Sequence, residues 1–203
     1  MSTYKLYTFN SRSRAEIARL MFIAADQKFE DIRYECKEWI SHKNGTPFKL
    51  MPILEVDGVK LSRSVSIGSF LANRFQLGGK DNLEQATIED IFNALTALMK
   101  QFLSFRDEKD LKKRVNLIKN FFVNELPRHL QNVEVLAKQY ANNGPFLVGK
   151  NLTWVDLFFY EVTETLFKSD RTILDNYLFL KQNHAEVEKQ PRIGEYLKNR
   201  SKS

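Results

Sequence analysis

Residues 46–58 read TPFKLMPILEVDG and decide how the first part of this chain folds. Pro52 cannot donate a hydrogen bond from its nitrogen, and it pushes the preceding Met51 toward an extended conformation. The apolar run that follows is typical of a strand, and Asp57-Gly58 is a strong indication of a β-hairpin turn. An extended Met51 whose N–H and C=O face outward would form a docking edge for a peptide-like ligand. The alternative is an ordinary loop that leads into a strand.

The sequence around this stretch predicts a small mixed sheet with helices packed on it. The order is β-α-β and then β-β-α, and the first unit implies parallel pairing of its two strands. Strands are expected at 4–9, 29–34, 53–56 and 59–62, and helices at 14–25 and 64–75.

Beyond residue 80 the pattern becomes purely helical. Gly78-Gly79 opens a linker at about 78–82, which predicts a mixed α/β domain over 1–77 and an all-helical domain over 83–203. Helical patterns run over 83–106, 108–141 with a kink or break at Pro127, from 153, and over most of 173–200.

Thr153 and Asp156 have the spacing of a helix capping box, with Asp in place of the usual Glu or Gln. The expected role is to stabilise the start of a helix by about 1–2 kcal/mol. A catalytic role for Asp156 is the less favoured alternative, because the box already accounts for the residue.

Composition excludes several classes of protein. The chain has 203 residues, a formal charge of +6, and 25 acidic residues interspersed with 31 basic ones, so no nucleic-acid site is expected. Cys36 is the single cysteine, which excludes an intrachain disulfide. The three histidines have no metal-ligand spacing, so no metal is expected. No run of 18 apolar residues predicts a membrane span, and the first residues lack the apolar core of a signal peptide, so a cytoplasmic protein is expected.

Several segments carry a resemblance that covers both halves of the chain. They are YKLYTFNSRSRAE at 4–16, FEDIR at 29–33, TPFKLMPILEVDG at 46–58, LSRSVSI at 61–67 and FLVGKNLTWVDL at 146–157. In these segments the chain resembles the cytosolic glutathione transferases, above all the sigma class, which includes the glutathione-dependent prostaglandin D synthases and the S-crystallins. The resemblance implies a thioredoxin-like β-α-β-β-β-α domain, an all-α C-terminal domain, glutathione as co-substrate, a cytoplasmic location and a homodimer.

The resemblance also implies where glutathione binds. In the family, the residue before the proline pairs its main chain with the cysteinyl part of glutathione across a cis X–Pro bond, and Met51-Pro52 matches that position. Ser64 matches the serine that binds the γ-glutamyl carboxylate, at a helix N-terminus whose N–H groups and dipole favour an anion. Ser64 as an ordinary N-cap is compatible with this role.

Other positions complete the implied glutathione site. Trp39 and Lys43 match the residues that reach the glycine end, although Lys43 could equally be a solvated surface lysine. Leu50, which precedes Met51, and Arg63, which precedes Ser64, are also expected to contact glutathione. Arg14 matches an arginine that organises the thiolate region, or it simply caps the first helix.

The first strand departs from the family at its catalytic residue. The thiol-activating tyrosine of the family precedes Phe9, where this chain has Thr8, and the tyrosine stands one position earlier as Tyr7. A shift of one residue along a strand turns a side chain to the opposite face, so Tyr7 should miss the thiol unless the strand has a bulge. A hydroxyl that donates to the thiolate is worth about 1.5–3 kcal/mol, or about one to two pKa units of a thiol near 8.5. Thr8, Ser11 and Ser13 are the hydroxyls that could replace the tyrosine.

Further departures lie elsewhere in the implied site. Lys49 stands where the family has Gly, and Arg63 replaces a Gln that contacts the γ-glutamyl group. Arg63 could clamp the carboxylate of that group, but it would repel its ammonium. Thr96 and Ala97 replace two aspartates, which predicts weaker glutathione binding and no divalent-metal site.

Two functions follow from these matches and departures. The first is conjugation of the glutathione thiolate to small hydrophobic electrophiles as part of detoxification, with Phe9, Phe102 and Phe105 as candidates for the electrophile pocket. At helical spacing, Phe102 and Phe105 could also be core residues. The second is a catalytically impaired or inactive structural or binding protein of the S-crystallin kind. A prostaglandin isomerase would need the same activated thiol.

Overall fold

The structure is a computed structural model that describes residues 2–12, 14–105 and 107–200. Its contacts group the chain into two compact units. One unit runs to Gly78 and resumes at Glu188, and the other comprises Gly79–Val187. The division therefore differs from the predicted one at the end of the chain, where the last helix packs with the first unit.

The sheet of the first unit has four strands in the order β2-β1-β3-β4. β1 pairs in parallel with β2 and antiparallel with β3, and β3 forms a hairpin with β4. The parallel pairing and the Asp57-Gly58 hairpin are thus confirmed. The strands are β1 (Tyr4–Phe9), β2 (Glu30–Tyr34), β3 (Ile53–Val56) and β4 (Val59–Ser62).

Helices α1 (Glu16–Ala24) and α3 (Ser64–Arg74) form close to where the sequence predicts them. A further helix, α2 (Cys36–His42), follows β2 and was not predicted. None of its residues is buried, so it has no apolar face that a periodicity search would detect. Its start is instead fixed by a capping box between Glu35 and Glu38.

Helices are the only regular secondary structure among the described residues of the second unit. Pro127 lies in the first turn of a helix, two residues after a turn of π-helix over Phe121–Glu125. The kink or break expected at this proline is therefore observed as a change from π-helix to α-helix, with a helical backbone at Glu125 and Leu126. The helices that follow α3 are α4 (Asn82–Ser104), α5 (Leu111–Asn120), α6 (Leu126–Tyr140), α7 (Trp154–Leu166), α8 (Leu178–Lys189) and α9 (Pro191–Asn199), the last of which belongs to the first unit.

Asp156 anchors the start of α7, and the predicted capping box with Thr153 is confirmed. Its carboxylate is fully buried and accepts hydrogen bonds from the N–H and hydroxyl of Thr153 at 2.8 and 2.7 Å. The same carboxylate accepts from the Leu147 N–H at 2.7 Å and from the Asn183 amide at 2.8 Å. The residue therefore joins three segments of the helical unit rather than capping one helix only.

A second buried polar network ties α9 to α1 within the first unit. Glu16 accepts hydrogen bonds from Arg19 at 2.8 Å, from the Tyr196 hydroxyl at 2.9 Å and from Arg200 at 3.1 Å. Arg19 is only 1% exposed and also binds Asp31 at 3.0 Å. Burial and the neighbouring Glu16 raise the pKa of Tyr196, so its phenol stays protonated. These hydrogen bonds explain why α9 belongs to the first unit.

Candidate active site

The peptide bond between Met51 and Pro52 is cis, as the resemblance implies. Pro52 is buried and Met51 is half-buried immediately before β3. Among the described residues, none hydrogen-bonds to the main chain of Met51. The N–H and C=O of Met51 therefore remain available to a ligand that lies alongside this segment in an extended conformation.

Ser64 is the first residue of α3, and Arg63 occupies the N-cap position. The half-buried Ser64 side chain thus stands beside the free N–H groups of the first helical turn, where an anion is stabilised. Arg63 adopts a positive φ of 77°, and its guanidinium lies 5.4 Å from the centre of the Phe48 ring. In this conformation Arg63 is a cation–π partner of Phe48.

The residues implied for the glycine end come from α2 and from the turn after it. Trp39 is half-buried and packs edge-on against Phe9, with the ring centroids 5.9 Å apart. Lys43 is exposed in the short turn that follows α2. Leu50 is 43% exposed, and it follows Lys49, whose φ of 52° lies in the left-handed region. Glycine has no Cβ and adopts that region without strain, so a glycine would fit position 49 more easily than lysine does.

Thr8 is fully buried on the face of the sheet that packs against α1. Its hydroxyl accepts a hydrogen bond from Arg19 at 2.7 Å and donates its own proton to the Phe9 carbonyl at 3.1 Å. That proton is thereby engaged within the protein. Sequence reasoning missed Arg19, although its spacing of three residues from Glu16 on an apolar helix was a detectable indication of a buried ion pair.

Tyr7 faces the opposite side of the sheet. The register of β1 against β2 is continuous through Tyr7 and Thr8, and its register against β3 is continuous up to Tyr7, so no bulge changes the direction of the ring. The Tyr7 hydroxyl donates to Glu55 at 3.1 Å. Burial, followed by the hydrogen bond to the Glu55 carboxylate, raises the pKa of Tyr7 to about 12.

The Tyr7 pKa can be tested by spectrophotometric titration. We expect Glu55→Gln to lower it while leaving it above 10, because the carboxylate effect is removed and the burial remains. The measurement is the ultraviolet difference between each protein and the same protein with Tyr7→Phe. Glu30→Gln is the matched control, since Glu30 contributes a smaller charge effect to the same phenol. Equal shifts in the two variants would contradict the assignment to Glu55.

The remaining candidates for thiol chemistry lie between β1 and α1. Ser11 is half-buried, and its N–H donates to the Phe9 carbonyl at 2.7 Å. Arg14 is exposed just before α1. Ser13 lies outside the described residues. A loop hydroxyl and a guanidinium therefore flank the end of β1, the end at which Met51 also lies.

Comparison with known proteins decides the family. Residues 82–200 match the family described as glutathione S-transferase, C-terminal domain. Hematopoietic prostaglandin D synthase from Homo sapiens is 32% identical over 98% of this chain and 98% of its own length. The chain belongs to the glutathione S-transferase family.

Other comparisons extend this result over the whole chain. The S-crystallin SL11 from Nototodarus sloanii is 29% identical over 99% of this chain and 98% of its own length. A Nu-class glutathione S-transferase from Haemonchus contortus superimposes with a TM-score of 0.90 at 31% identity, over 100% of this chain and 99% of that one. The predicted thioredoxin-like domain followed by an all-helical domain is confirmed, and so is the likeness to the sigma class.

The aromatic residues that the sequence suggests for an electrophile pocket lie in two different environments. Phe9 is half-buried at the end of β1 beside Trp39. In the helical unit, Phe102 and the buried Phe105 pack together with their ring centroids 5.2 Å apart, and both also contact the ring of Phe121. Such packing of rings against each other is what we expect of core residues. A role for Phe102 and Phe105 in an electrophile pocket stays a prediction.

Two further features of the chain concern α4 and membrane spans. Thr96 and Ala97 lie exposed on α4. None of the helices that the structure describes combines the length and the apolar character that a membrane span requires.

Proposed function

We propose that this protein conjugates the thiolate of glutathione to small hydrophobic electrophiles. The observation that carries the proposal is the unpaired main chain of Met51 before the cis Pro52, at the same end of the β3–β4 hairpin as the N-terminus of α3. An extended tripeptide can pair its cysteinyl residue with Met51 and place its γ-glutamyl carboxylate at Ser64. Membership of the glutathione S-transferase family supports the same ligand.

The chemical step requires a stabilised thiolate, since the thiolate and not the thiol is the nucleophile. Because Thr8 already donates its proton to the Phe9 carbonyl, Ser11 is the described hydroxyl that we assign to the thiol. The nearby exposed guanidinium of Arg14 adds a positive charge, which favours the ionised sulfur. The thiolate then attacks the electrophile, and the leaving group departs with its electron pair.

A second candidate is a binding or structural protein without conjugating activity. It is favoured by the position of Tyr7, which lies on the wrong face of the sheet for the thiol and is bound to Glu55. The loss of acidic residues at Thr96 and Ala97 points the same way. Prostaglandin isomerisation, the activity named for the human relative, needs the same activated thiol and depends on the first candidate.

Two assays distinguish these functions. Retention on glutathione-agarose tests binding, and the rate of glutathione conjugation to 1-chloro-2,4-dinitrobenzene tests chemistry. Retention with conjugation supports the transferase, whereas retention without conjugation leaves a glutathione-binding protein. A protein that passes neither assay would overturn the glutathione site altogether.

Thr8→Tyr should raise kcat/KM for conjugation by about tenfold, because a phenol that donates to the thiolate lowers the thiol pKa by about one unit or more. Thr8→Phe is the matched control, since it introduces the same ring without the hydroxyl. A steady-state assay near pH 6.5 makes the difference largest, because little of an unassisted thiol is ionised there. Equal rates for the two variants would show that Arg63 or the loop after β1 limits the reaction instead.

The proposal includes a cytoplasmic homodimer. The Phe48 side chain is 72% exposed at the position of an aromatic dimer contact in some classes of the family. Exposed aromatic side chains of this size are enriched at protein interfaces. Sedimentation velocity should give a dimer for the wild-type protein and a weaker one for Phe48→Ala.

A further inference from the structure

Helix α5 lies on the surface of the second unit. The structure describes all of its residues, and none of them is buried, in contrast to α4, α6 and α7. The helix is attached at its end, where the buried Phe121 packs its ring against Phe102 and Phe105. Leu117 precedes Phe121 by about one turn and therefore lies on the same side of the helix. One side of α5 thus faces its own unit, and the other sides face solvent.

An apolar row runs along a different side of α5. Leu111, Val115 and Ile118 follow one another at intervals of four and three residues, which aligns their side chains on a helix. This apolar row lies about 120° around the helix from Leu117. Leu111 is 74% exposed and Val115 63%, whereas Leu117 is 38% exposed. Packing within the unit therefore does not account for the apolar row.

Basic side chains border the apolar row on both sides. At 3.6 residues per turn, Lys112 and Lys119 lie along one side of the row, and Arg114 lies along the other. All three are exposed. An apolar row between basic side chains is typical of helices that lie in the interface of a membrane, where the apolar side chains leave water and the cations meet anionic lipids.

Three acidic residues, Asp107, Glu108 and Asp110, precede the helix. Asp110 is the N-cap residue, and its carboxylate accepts hydrogen bonds from the N–H groups of Lys112 and Lys113 at 2.9 and 3.1 Å. Glu108 pairs with the Lys113 ammonium at 2.7 Å. The negative charge is therefore concentrated before the helix, whereas α5 itself carries four basic residues and no acidic one.

We propose that α5 docks on the surface of an anionic lipid bilayer. The helix lies parallel to the bilayer, the apolar row enters the boundary between headgroups and acyl chains, and the basic side chains bind lipid phosphates and carboxylates. A flat surface fits α5 better than a protein groove, because a groove that encloses a helix would also contact the side of Leu117, which faces its own unit. The docking does not depend on glutathione binding.

Co-sedimentation with large unilamellar vesicles tests the proposal on the full-length protein. We expect binding to vesicles of phosphatidylserine and phosphatidylcholine in equal parts, binding about tenfold weaker to phosphatidylcholine alone, and release by added salt. Lys112→Gln combined with Lys119→Gln should weaken binding about tenfold. Lys37→Gln combined with Lys198→Gln is the matched control, since it removes the same charge from two exposed positions on other helices. Equal binding by the two double variants would overturn the proposal.

Tryptophan fluorescence tests whether the apolar row enters the bilayer. The emission of Leu111→Trp, after subtraction of the wild-type signal from Trp39 and Trp154, should shift to shorter wavelength when phosphatidylserine vesicles are added, because the indole leaves water. Leu178→Trp is the control and should show no shift. Leu178 is also the first residue of its helix, and it is 75% exposed.

The fluorescence comparison does not depend on how stable each variant is, because every protein is compared with itself before and after vesicles are added. Equal shifts in Leu111→Trp and Leu178→Trp would contradict docking through α5. Binding that requires Lys112 and Lys119 without a shift in Leu111→Trp would indicate an acidic protein as the partner of α5, and it would overturn the bilayer proposal.

Discussion

Ser64→Ala should raise KM for glutathione by about tenfold while kcat stays near the wild-type value. A hydrogen bond to a charged group contributes about 1.5–3 kcal/mol, and the half-buried position of Ser64 places its effect at the lower end. The carboxylate it is proposed to bind is remote from the sulfur, so the bond is equally strong in the ground and transition states. Losing such uniform binding affects KM and spares kcat. Initial rates at varied glutathione concentration, with electrophile in excess, measure both constants.

Ser66→Ala is the control for this prediction. Ser66 is the same residue type on the same helix, two positions further along and exposed to solvent. Because Arg63 holds the N-cap position, neither variant removes a helix cap, and both should unfold at the wild-type urea concentration. The proposed role of Ser64 fails if the two variants show the same KM.

Asp156→Ala should destabilise the protein by about 3–5 kcal/mol, the largest effect on stability that we expect from a single substitution. The change removes the acceptor for the Leu147 N–H, for both donors of Thr153 and for the Asn183 amide. These groups lie in a fully buried cluster, where water cannot replace the lost oxygens without a cavity. Burial raises the pKa of Asp156. The four hydrogen-bond donors oppose this shift, because they stabilise the ionised carboxylate. Equilibrium urea unfolding measures the change in free energy.

Asp170→Ala separates burial from local hydrogen bonding. Asp170 accepts bonds from the N–H and hydroxyl of Thr172 at 2.8 and 2.7 Å, which closely resembles the pairing of Asp156 with Thr153. Asp170 makes these bonds at an exposed position, where water can satisfy the freed donors. Its replacement should therefore shift the unfolding curve far less. Comparable losses in the two variants would show that the buried connections of Asp156 to Leu147 and Asn183 contribute little.

The sequence predicted the structure of residues 46–64 well, because the signals in this segment are local. A proline before an apolar run, an Asp-Gly turn and a serine at the next helix are adjacent in the chain and occur in fixed order. The cis bond at Met51-Pro52 came from the family resemblance, since X–Pro bonds are predominantly trans by intrinsic preference. The sequence did not predict helix α2, because none of its residues is buried and it therefore shows no apolar periodicity.

The side chains that hydrogen-bond to the hydroxyls of Tyr7 and Thr8 lie further along the chain, and the sequence could not predict them. The alternation of β1 showed that Tyr7 and Thr8 face opposite sides, because the side-chain period of a strand is two. It could not show that Thr8 meets Arg19 from α1, or that Tyr7 meets Glu55 from β3. These partners are 11 and 48 residues away in the chain, and only packing brings them together.

By itself, the sequence determined the four strands, helices α1 and α3, the hairpin, the irregularity near Pro127 and the family, because each depends on residues close together in the chain or on an extended pattern. Tertiary structure alone decided how the end of the chain is held and what Asp156 does. Glu16 accepts hydrogen bonds from Tyr196 and Arg200, which are 180 and 184 positions away, and Asp156 accepts hydrogen bonds from three segments. Buried polar groups must find partners wherever the fold supplies them, and sequence separation carries no information about that choice.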